Sequence, residues 1–207
     1  MKTRAVLFDL DGVLVDTREA WFRLLVAATR ELGYPEYTRD QFQQQWGQGI
    51  QADVDLIFKR HTVGQMEEYF NRRFIEHAGG VAPIPGARDA FAAVKASGLR
   101  TAVITNTPSP LARVVLSAGA YAPEALVGGT DVARCKPAPD MVYRACEVLV
   151  VDTSEAVVVG DSRFDQEAAK SAGVRFIGYR MPGDASLDDL RDLPREIIAL
   201  ESRRTDK

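Results

Sequence analysis

Two aspartates, Asp9 and Asp11, directly follow the apolar run "AVLF", which has the composition of a buried β-strand. In extended backbone, side chains two residues apart point to the same side and lie about 6.5 Å apart. That separation leaves room for one reacting atom between a carboxylate that acts as nucleophile and a second that moves a proton. Because neighbouring carboxylates repel each other, the arrangement also requires a cation or a proton close by.

Further polar side chains follow three later apolar runs of the chain. Thr105 and Asn106 come after "RTAVI", and Lys136 comes after "ALVGG". Asp161 follows the run "AVVVG", and Asp165 lies one helical turn beyond it. If these runs are parallel strands, their carboxyl ends meet at one edge of the sheet, where ligands bind. One lysine cannot balance so many acids, whereas Mg²⁺ suits carboxylates completed by water and substrate phosphate.

The second part of the chain predicts an α/β fold. From Pro83 onward, apolar strands without period-two alternation are separated by amphipathic helices. This pattern favours a doubly wound, Rossmann-like parallel sheet that helices cover on both faces, and the opening strand "AVLF" belongs to it.

The segment between these strands predicts helices and no convincing strand. Apolar residues recur at helical spacing near its start, at Trp21, Leu24, Leu25, Ala28 and Leu32. We therefore predict an α/β core formed by residues 1–16 and 83–207. An all-helical unit formed by residues 17–82 would be inserted after the first strand.

Four motifs of the chain, "DLDGVLVDT", "TNTP", "CKPAPD" and "GDSRFD", resemble in this order the four motifs of the haloacid dehalogenase superfamily. A helical insert directly after the first motif resembles the phosphoglycolate phosphatase and β-phosphoglucomutase branch. The resemblance extends from about Ala5 to Gly178. It implies a Rossmann-like core with a helical cap.

The resemblance also implies roles for individual residues. By position, Asp9 is similar to the nucleophile that forms an aspartyl-phosphate, and Asp11 to the acid that protonates the leaving oxygen and then activates water. Thr105 and the backbone around Asn106 would bind phosphoryl oxygens, and Lys136 would steady the charge of nucleophile and phosphate. The implied catalytic residues are Asp9, Asp11, Thr105 and Lys136.

The implied cofactor is Mg²⁺, held by Asp9, Asp161 and the main-chain carbonyl of Asp11. Asp165 completes the implied metal set, acting through water or by orienting Lys136. Relatives of this branch have a loop that reaches over the active site and selects the substrate. Its position corresponds to that of Gly47 and Gln48 in this chain. A plain turn between helices is the alternative interpretation of that loop, "WGQGI".

The function that these residues predict is a Mg²⁺-dependent phosphatase acting on a small phosphorylated metabolite, similar to phosphoglycolate or a sugar phosphate. A β-phosphoglucomutase-like phosphomutase shares every residue named and remains the alternative, although "GDSRFD" favours hydrolysis. A 2-haloacid dehalogenase needs neither a proton donor nor a metal, so Asp11 and the pair Asp161 and Asp165 argue against that class. A phospho-receiver domain carries its acceptor aspartate on a middle strand, unlike Asp9 here. A non-catalytic interaction protein would have lost catalytic residues, and none is replaced in this chain.

Some of these residues also have purely structural interpretations. Asp16 fits the N-cap of the first inserted helix, and Thr17 shares that ambiguity. Asp165 would be favoured by a helix dipole alone, and Pro137 is typical of the first turn of a helix. We expect His61 to be solvent-exposed, and His77 likewise.

Composition excludes several other classes of protein. The 207 residues have a net charge of -3 and no basic block outside the terminal "ESRRTDK", so neither nucleic acid nor an anionic membrane is an expected partner. The first apolar run is cut by Asp9 and is too short for a signal-peptide core. We expect a cytoplasmic protein in which Cys135 and Cys146 are plain thiols. The sequence does not indicate an oligomeric state.

Overall fold

A computed structural model describes residues 2–202 of the chain. Its central sheet has six parallel strands in the order β5-β4-β1-β6-β7-β8. The strands, including a separate pair formed by β2 and β3, are β1 (Ala5–Phe8), β2 (Val15–Asp16), β3 (Ala82–Pro83), β4 (Arg100–Ile104), β5 (Ala125–Val127), β6 (Ala156–Gly160), β7 (Arg175–Tyr179) and β8 (Ala185–Leu187).

Helices lie on both faces of this sheet. The described α-helices are α1 (Arg18–Glu31), α2 (Arg39–Gln45), α3 (Ile50–Leu56), α4 (Val63–His77), α5 (Ala87–Ala96), α6 (Ser109–Ala118), α7 (Asp140–Leu149), α8 (Arg163–Ala172) and α9 (Leu193–Ser202). Side chains along β1 alternate between two apolar clusters: Val6 and Phe8 join the one with α5, α6 and α9, while Ala5 and Leu7 join the one with α7 and α8. Burial on both faces explains why the strands are continuously apolar.

In chain order, helices α1 to α4 lie between β1 and the other strands of the central sheet. They form one unit, which we call the helical insert. Trp21 of α1 packs against Phe70 and Phe74 of α4, with ring centroids 5.7 Å and 5.0 Å apart. The chain enters through β2 and returns through β3, which pair antiparallel. These strands have two residues each, too few for a periodic pattern to indicate them. The division into 1–16, 17–82 and 83–207 stays a prediction.

Three local predictions are wrong. Pro137 does not begin a helix, because α7 starts at Asp140; Lys136 and Pro137 instead lie in the preceding loop, joined by a cis peptide bond. The N-cap position of α1 is occupied by Thr17 and not by Asp16, which ends β2 and accepts the N–H of Arg18 at 3.3 Å.

The third wrong prediction concerns the segment "MPGDASLDDLRDLP", whose polar, turn-rich composition predicts only turns leading to a last helix. It contains β8, which pairs with β7, and a 3₁₀ helix, Leu190–Asp192. β8 is too short for its alternating apolar residues to stand out from the polar turns around it.

The two histidines are less exposed than predicted, and the two cysteines are free thiols. His61 is half-buried, and its Nδ1 lies 2.7 Å from the Tyr34 hydroxyl, while His77 is half-buried near the end of α4. Neither is as exposed as expected. Cys135 and Cys146 are free thiols, as predicted.

Among the helices of residues 2–202, none combines the length and apolar character that a membrane span requires.

Candidate active site

The carboxyl ends of β1, β4 and β6 bring the predicted residues together at one edge of the sheet. Asp9 follows β1, Thr105 follows β4, and Asp161 follows β6. Lys136 comes from the loop between β5 and α7, and Asp165 from the first turn of α8. Apart from Asp161, which is half-buried, these side chains are buried. The fold therefore concentrates ionisable groups in a place where water cannot solvate them well.

Lys136 is the central cation of this site. Its Nζ donates to Asp9 Oδ1 at 2.7 Å, to Asp165 Oδ1 at 2.6 Å and to the carbonyl of Ile104 at 3.0 Å. All three ammonium protons therefore have acceptors. Burial alone lowers the pKa of Lys136, but the charges of Asp165 and Asp9 outweigh it and raise that pKa above its ordinary value. Lys136 is thus a fixed positive charge beside Asp9.

Asp165 is fully buried and is held from both sides. Its Oδ1 accepts from Lys136, while its Oδ2 accepts from the hydroxyl of Ser162 at 2.5 Å and from the Ser162 N–H at 3.2 Å. Ser162 and Asp165 form the capping box at the start of α8. Asp165 is thus the third helical residue of the capping box and also accepts from Lys136 Nζ, while its role towards a metal stays a prediction.

Asp11 is fixed by four hydrogen bonds that sequence reasoning did not anticipate. Its Oδ1 accepts from the Thr17 hydroxyl at 2.6 Å and from Trp21 Nε1 at 3.2 Å. Its Oδ2 accepts from the hydroxyls of Thr105 at 2.9 Å and Thr107 at 2.8 Å. The carboxylate is thereby held in one orientation by donors from both the core and the helical insert.

Three of these donors, Thr17, Trp21 and Thr107, were missed as site residues. Two sequence signals could have found them. Thr107 lies two residues beyond Thr105 in "TNTP", and Trp21 follows Thr17 by one helical turn. The hydroxyl of Thr105, for which the resemblance implies a phosphoryl-binding role, instead donates to Asp11 in this structure.

Asn106 joins the insert to the core through its side chain. Its Nδ2 donates to the carbonyls of Gly47 at 2.8 Å and Lys136 at 2.9 Å, and its Oδ1 accepts the N–H of Lys136 at 2.9 Å. The Asn106 side chain is thus committed to holding the loop that carries Lys136. Any contact of Asn106 with a phosphoryl group would use its backbone.

The loop between α2 and α3, residues 46–49, lies against the core and is called the insert loop below. Trp46 Nε1 donates to Asp161 Oδ2 at 3.1 Å. Arg18 pairs with the same oxygen at 3.3 Å, and its guanidinium lies 4.4 Å from the centroid of the Trp46 ring. Gly47 has a φ of +88°, and a Cβ there would lie 3.0 Å from Ser162 Oγ. The predicted loop therefore does reach the strand ends.

The turn after β1 requires a glycine at position 12. Gly12 has a φ of +88°, a conformation that residues with a Cβ rarely adopt. A Cβ built there would lie 2.2 Å from Asp161 Oδ2. The absence of a side chain thus allows the first-strand loop and Asp161 to approach each other closely, which brings acids from β1 and β6 into one group.

The donor set fits a divalent cation. Asp9, Asp161 and Asp165 offer carboxylate oxygens that all lie within 4.8 Å of one another. Asp161 Oδ1 is buried and, among residues 2–202, accepts no hydrogen bond. A hard cation with oxygen ligands, such as Mg²⁺, is suited to such a group. We call these three residues the acid cluster.

The electrostatics of the acid cluster point the same way. Burial is the main cause that raises the pKa of Asp9 well above its ordinary value, and the charges of Asp165, Asp11 and Asp161 add to it against the opposing effect of Lys136. Burial and the charge of Asp165 raise the pKa of Asp161 to about 6. Both carboxylates would be stabilised in their charged forms by an added cation.

A cavity of about 60 Å³ opens between these residues and the helical insert. Its core side includes Asp9, Asp11, Thr105 and Lys136. Its insert side combines aromatic and polar residues, including Trp21, Tyr37, Phe42, Gln45, Trp46, Gly47, Gln48 and Asp53. The predicted residues Gly47 and Gln48 therefore line the same cavity as Asp9.

Comparison with known proteins identifies the family. Residues 6–179 match the family described as haloacid dehalogenase-like hydrolase, and the chain belongs to that family. It is 33% identical, over an alignment of 215 positions, to a protein of Cupriavidus necator named "Phosphoglycolate phosphatase, plasmid". The alignment covers 92% of this chain and 91% of that protein. It is also 31% identical to the N-acetylmuramic acid 6-phosphate phosphatase of Pseudomonas aeruginosa, covering 98% and 96%.

Solved structures share the fold. CbbY from Rhodobacter sphaeroides, solved in complex with phosphate, has a TM-score of 0.80 and 28% identity and covers 92% of this chain and 96% of its own. The β-phosphoglucomutase of Clostridium difficile has a TM-score of 0.86 over 99% and 100%, at 16% identity, and this likeness concerns the fold alone. The predicted superfamily and the α/β core with a helical cap are confirmed.

Proposed function

We propose that this protein is a Mg²⁺-dependent phosphatase that hydrolyses a small phosphate monoester through an aspartyl-phosphate on Asp9. The observation that carries the proposal is the pairing of two differently held carboxylates. Asp9 is fixed at one oxygen by Lys136, whereas Asp11 is held separately by hydroxyl and indole donors. Phosphatases are named among relatives with 31% and 33% identity, which supports the same reaction class.

In the first step, a carboxylate oxygen of Asp9 forms a bond to phosphorus while the bond from phosphorus to the leaving oxygen breaks. Asp11 gives its proton to that leaving oxygen, which departs as an alcohol. In the second step, water attacks the phosphorus and passes a proton to Asp11. The bond between Asp9 and phosphorus then breaks, which frees inorganic phosphate and restores both carboxyl groups.

Lys136 compensates the negative charge at Asp9 and at the arriving phosphate without moving a proton. Its Nζ is held by Asp165 and by the Ile104 carbonyl, so its position does not depend on substrate. Preorganised charge of this kind is the main requirement of phosphoryl transfer. Asp9 and Asp161, with the Asp11 carbonyl and the nearby Asp165, would hold Mg²⁺. When bound, that ion supplies positive charge beside the phosphoryl oxygens.

Phosphate release from p-nitrophenyl phosphate tests the proposal. We expect release in millimolar Mg²⁺ and its loss in excess chelator, with recovery when Mg²⁺ is added back, because the acid cluster needs a cation. An equal addition of Ca²⁺ serves as a control, since its larger and more flexible coordination suits the site less well. Undiminished release in excess chelator would disprove the metal requirement.

The role of Asp11 predicts a dependence on the leaving group. Replacing Asp11 with alanine is expected to slow hydrolysis of an alkyl phosphate by about 10²-fold to 10⁴-fold, the usual contribution of a general acid. Hydrolysis of p-nitrophenyl phosphate should suffer less in its first step, because nitrophenolate departs without a proton. Single-turnover release of nitrophenolate and of glycerol from their phosphates measures this difference. Equal slowing of both would mean that Asp11 is not the proton donor.

A further inference from the structure

Four polar side chains of the helical insert line the cavity opposite Asp9. They form two hydrogen-bonded pairs: the Tyr37 hydroxyl donates to Gln45 Oε1 at 2.7 Å, and Gln48 Nε2 donates to Asp53 Oδ1 at 2.7 Å. We call these four residues the insert quartet. Each pair still has hydrogen-bonding atoms without a protein partner: the two N–H donors of the Gln45 amide, and Oδ2 of the Asp53 carboxylate.

Asp53 is unusual within this quartet. It lies in the first turn of α3 but is only 8% exposed. Within residues 2–202 it has no ion-pair partner, and its carboxylate accepts a hydrogen bond from Gln48 alone. Burial raises its pKa to about 7. A carboxyl group that lines the cavity with one protein partner has its Oδ2 available to a bound molecule.

The cavity offers no free positive charge. Among its lining residues, all of which lie in the described part of the chain, Lys136 is the only Lys, Arg or His. Its three protons are taken by Asp9, Asp165 and Ile104. Arg18 pairs with Asp161 and does not line the cavity. A negatively charged leaving group would therefore face Asp53 without a counter-charge.

We propose that the insert quartet selects a short leaving group that bears neutral hydroxyl groups, and that it rejects one bearing a carboxylate. The inference rests on the proposed phosphatase function, because it concerns the alcohol that departs from the phosphoryl group. Hydroxyl groups both donate and accept, which matches the mixture of unused donors and acceptors on Gln45 and Asp53. The small volume of the cavity fits a chain of a few atoms.

The proposed leaving group differs from the one that the name of a relative suggests. Phosphoglycolate carries a carboxylate on its leaving group, and proteins named for it include a relative at 33% identity. The unpaired charge of Asp53 therefore favours a hydroxyl group over a carboxylate on the leaving group.

Two phosphate esters of equal length test the proposal directly. They are 2-hydroxyethyl phosphate and phosphoglycolate, which end in a hydroxyl group and in a carboxylate. Glycerol 3-phosphate and 3-phosphoglycerate repeat the comparison at greater length. At about pH 8, above the pKa of Asp53, we expect kcat/KM for each hydroxyl ester to exceed that of its carboxylate counterpart at least tenfold. A charged ester that is the better substrate at either length would overturn the proposal.

A pair of variants assigns the selectivity to Asp53. Replacing Asp53 with asparagine removes the charge and should reduce the preference for hydroxyl over carboxylate at least fivefold. The matched control is Asp55→Asn, because Asp55 lies on the same helix but is exposed, with its Oδ1 bonded to Gln51. This control should keep the preference within twofold. The proposal fails if both variants change the ratio equally.

Two distinct failures can be told apart by p-nitrophenyl phosphate, measured alongside with Mg²⁺. If the wild-type protein releases phosphate neither from this activated ester nor from any of the four small esters, the proposed function itself is wrong. If it does, while phosphoglycolate is hydrolysed as fast as 2-hydroxyethyl phosphate, only the assignment of the leaving group is wrong.

Discussion

Replacing Asp9 with asparagine is expected to abolish phosphate release, lowering kcat on the order of 10⁴-fold, the scale of loss when a covalent nucleophile is removed. The amide has nearly the same shape as the carboxylate and can still accept from Lys136 Nζ, so the site should keep its geometry. It is, however, a poor nucleophile towards phosphorus. Release of nitrophenolate from p-nitrophenyl phosphate under saturating conditions measures the loss.

The same substitution should not weaken the fold. Burial and the charges of its acidic neighbours already disfavour the ionised form of Asp9 against the opposing effect of Lys136. A neutral side chain removes that cost, and Lys136 keeps Asp165 as its partner. We expect the free energy of unfolding of Asp9→Asn, measured in chelator, to equal or exceed that of the wild type. Asp16→Asn is the matched control, since Asp16 belongs to the same motif but is exposed, and it should retain full activity. An active Asp9→Asn protein would refute the role of Asp9.

Replacing Lys136 with methionine is expected to reduce both stability and activity. The variant leaves Asp9 and Asp165 buried without their shared cation, and breaking a buried ion pair in this way costs about 3–5 kcal/mol. Activity should fall at least about 10²-fold, because the charge beside the nucleophile is lost. Urea denaturation in chelator measures the first effect, and phosphate release in Mg²⁺ the second.

The stability loss in Lys136→Met should depend on pH in a defined direction. Without the lysine, the folded-state pKa of Asp9 rises further, so folding is favoured below the ordinary pKa of an aspartate, 3.8, and disfavoured as pH rises above it. The deficit relative to the wild type is therefore expected to be larger at about pH 8 than at about pH 5. Lys170→Met serves as control because Lys170 is exposed on α8. An equal deficit in both variants would contradict the ion-pair account.

The sequence predicts well which side chains meet at the strand ends, for a physical reason. In a parallel sheet, residues that follow buried strands must meet at one edge, so their identity and order are enough to bring Asp9, Lys136 and Asp161 together. The start of α7 was mispredicted because a proline before a helix resembles a proline within its first turn. The strand β8 was missed because three residues carry no usable periodicity.

The contacts between the helical insert and the core could not be predicted in the same way. Trp21 has the spacing of an ordinary core residue, and only the packing of α1 over the strand ends turns its indole N–H towards Asp11. Asp53 likewise resembles an exposed acid in the first turn of a helix. Its burial depends on how α3 lies over the cavity, a tertiary property that no local pattern encodes.

The most direct test of the central claim is to trap the phosphoryl group on Asp9. Asp11→Asn slows the water step, so we expect a phosphoenzyme to accumulate when this variant meets p-nitrophenyl phosphate and Mg²⁺. After an acid quench and trypsin digestion, mass spectrometry should find one hydroxylamine-labile phosphoryl group on Asp9 in the variant's peptide from Ala5 to Arg18, "AVLFDLNGVLVDTR". Release of one equivalent of nitrophenolate with no phosphoryl group on that peptide would contradict the mechanism.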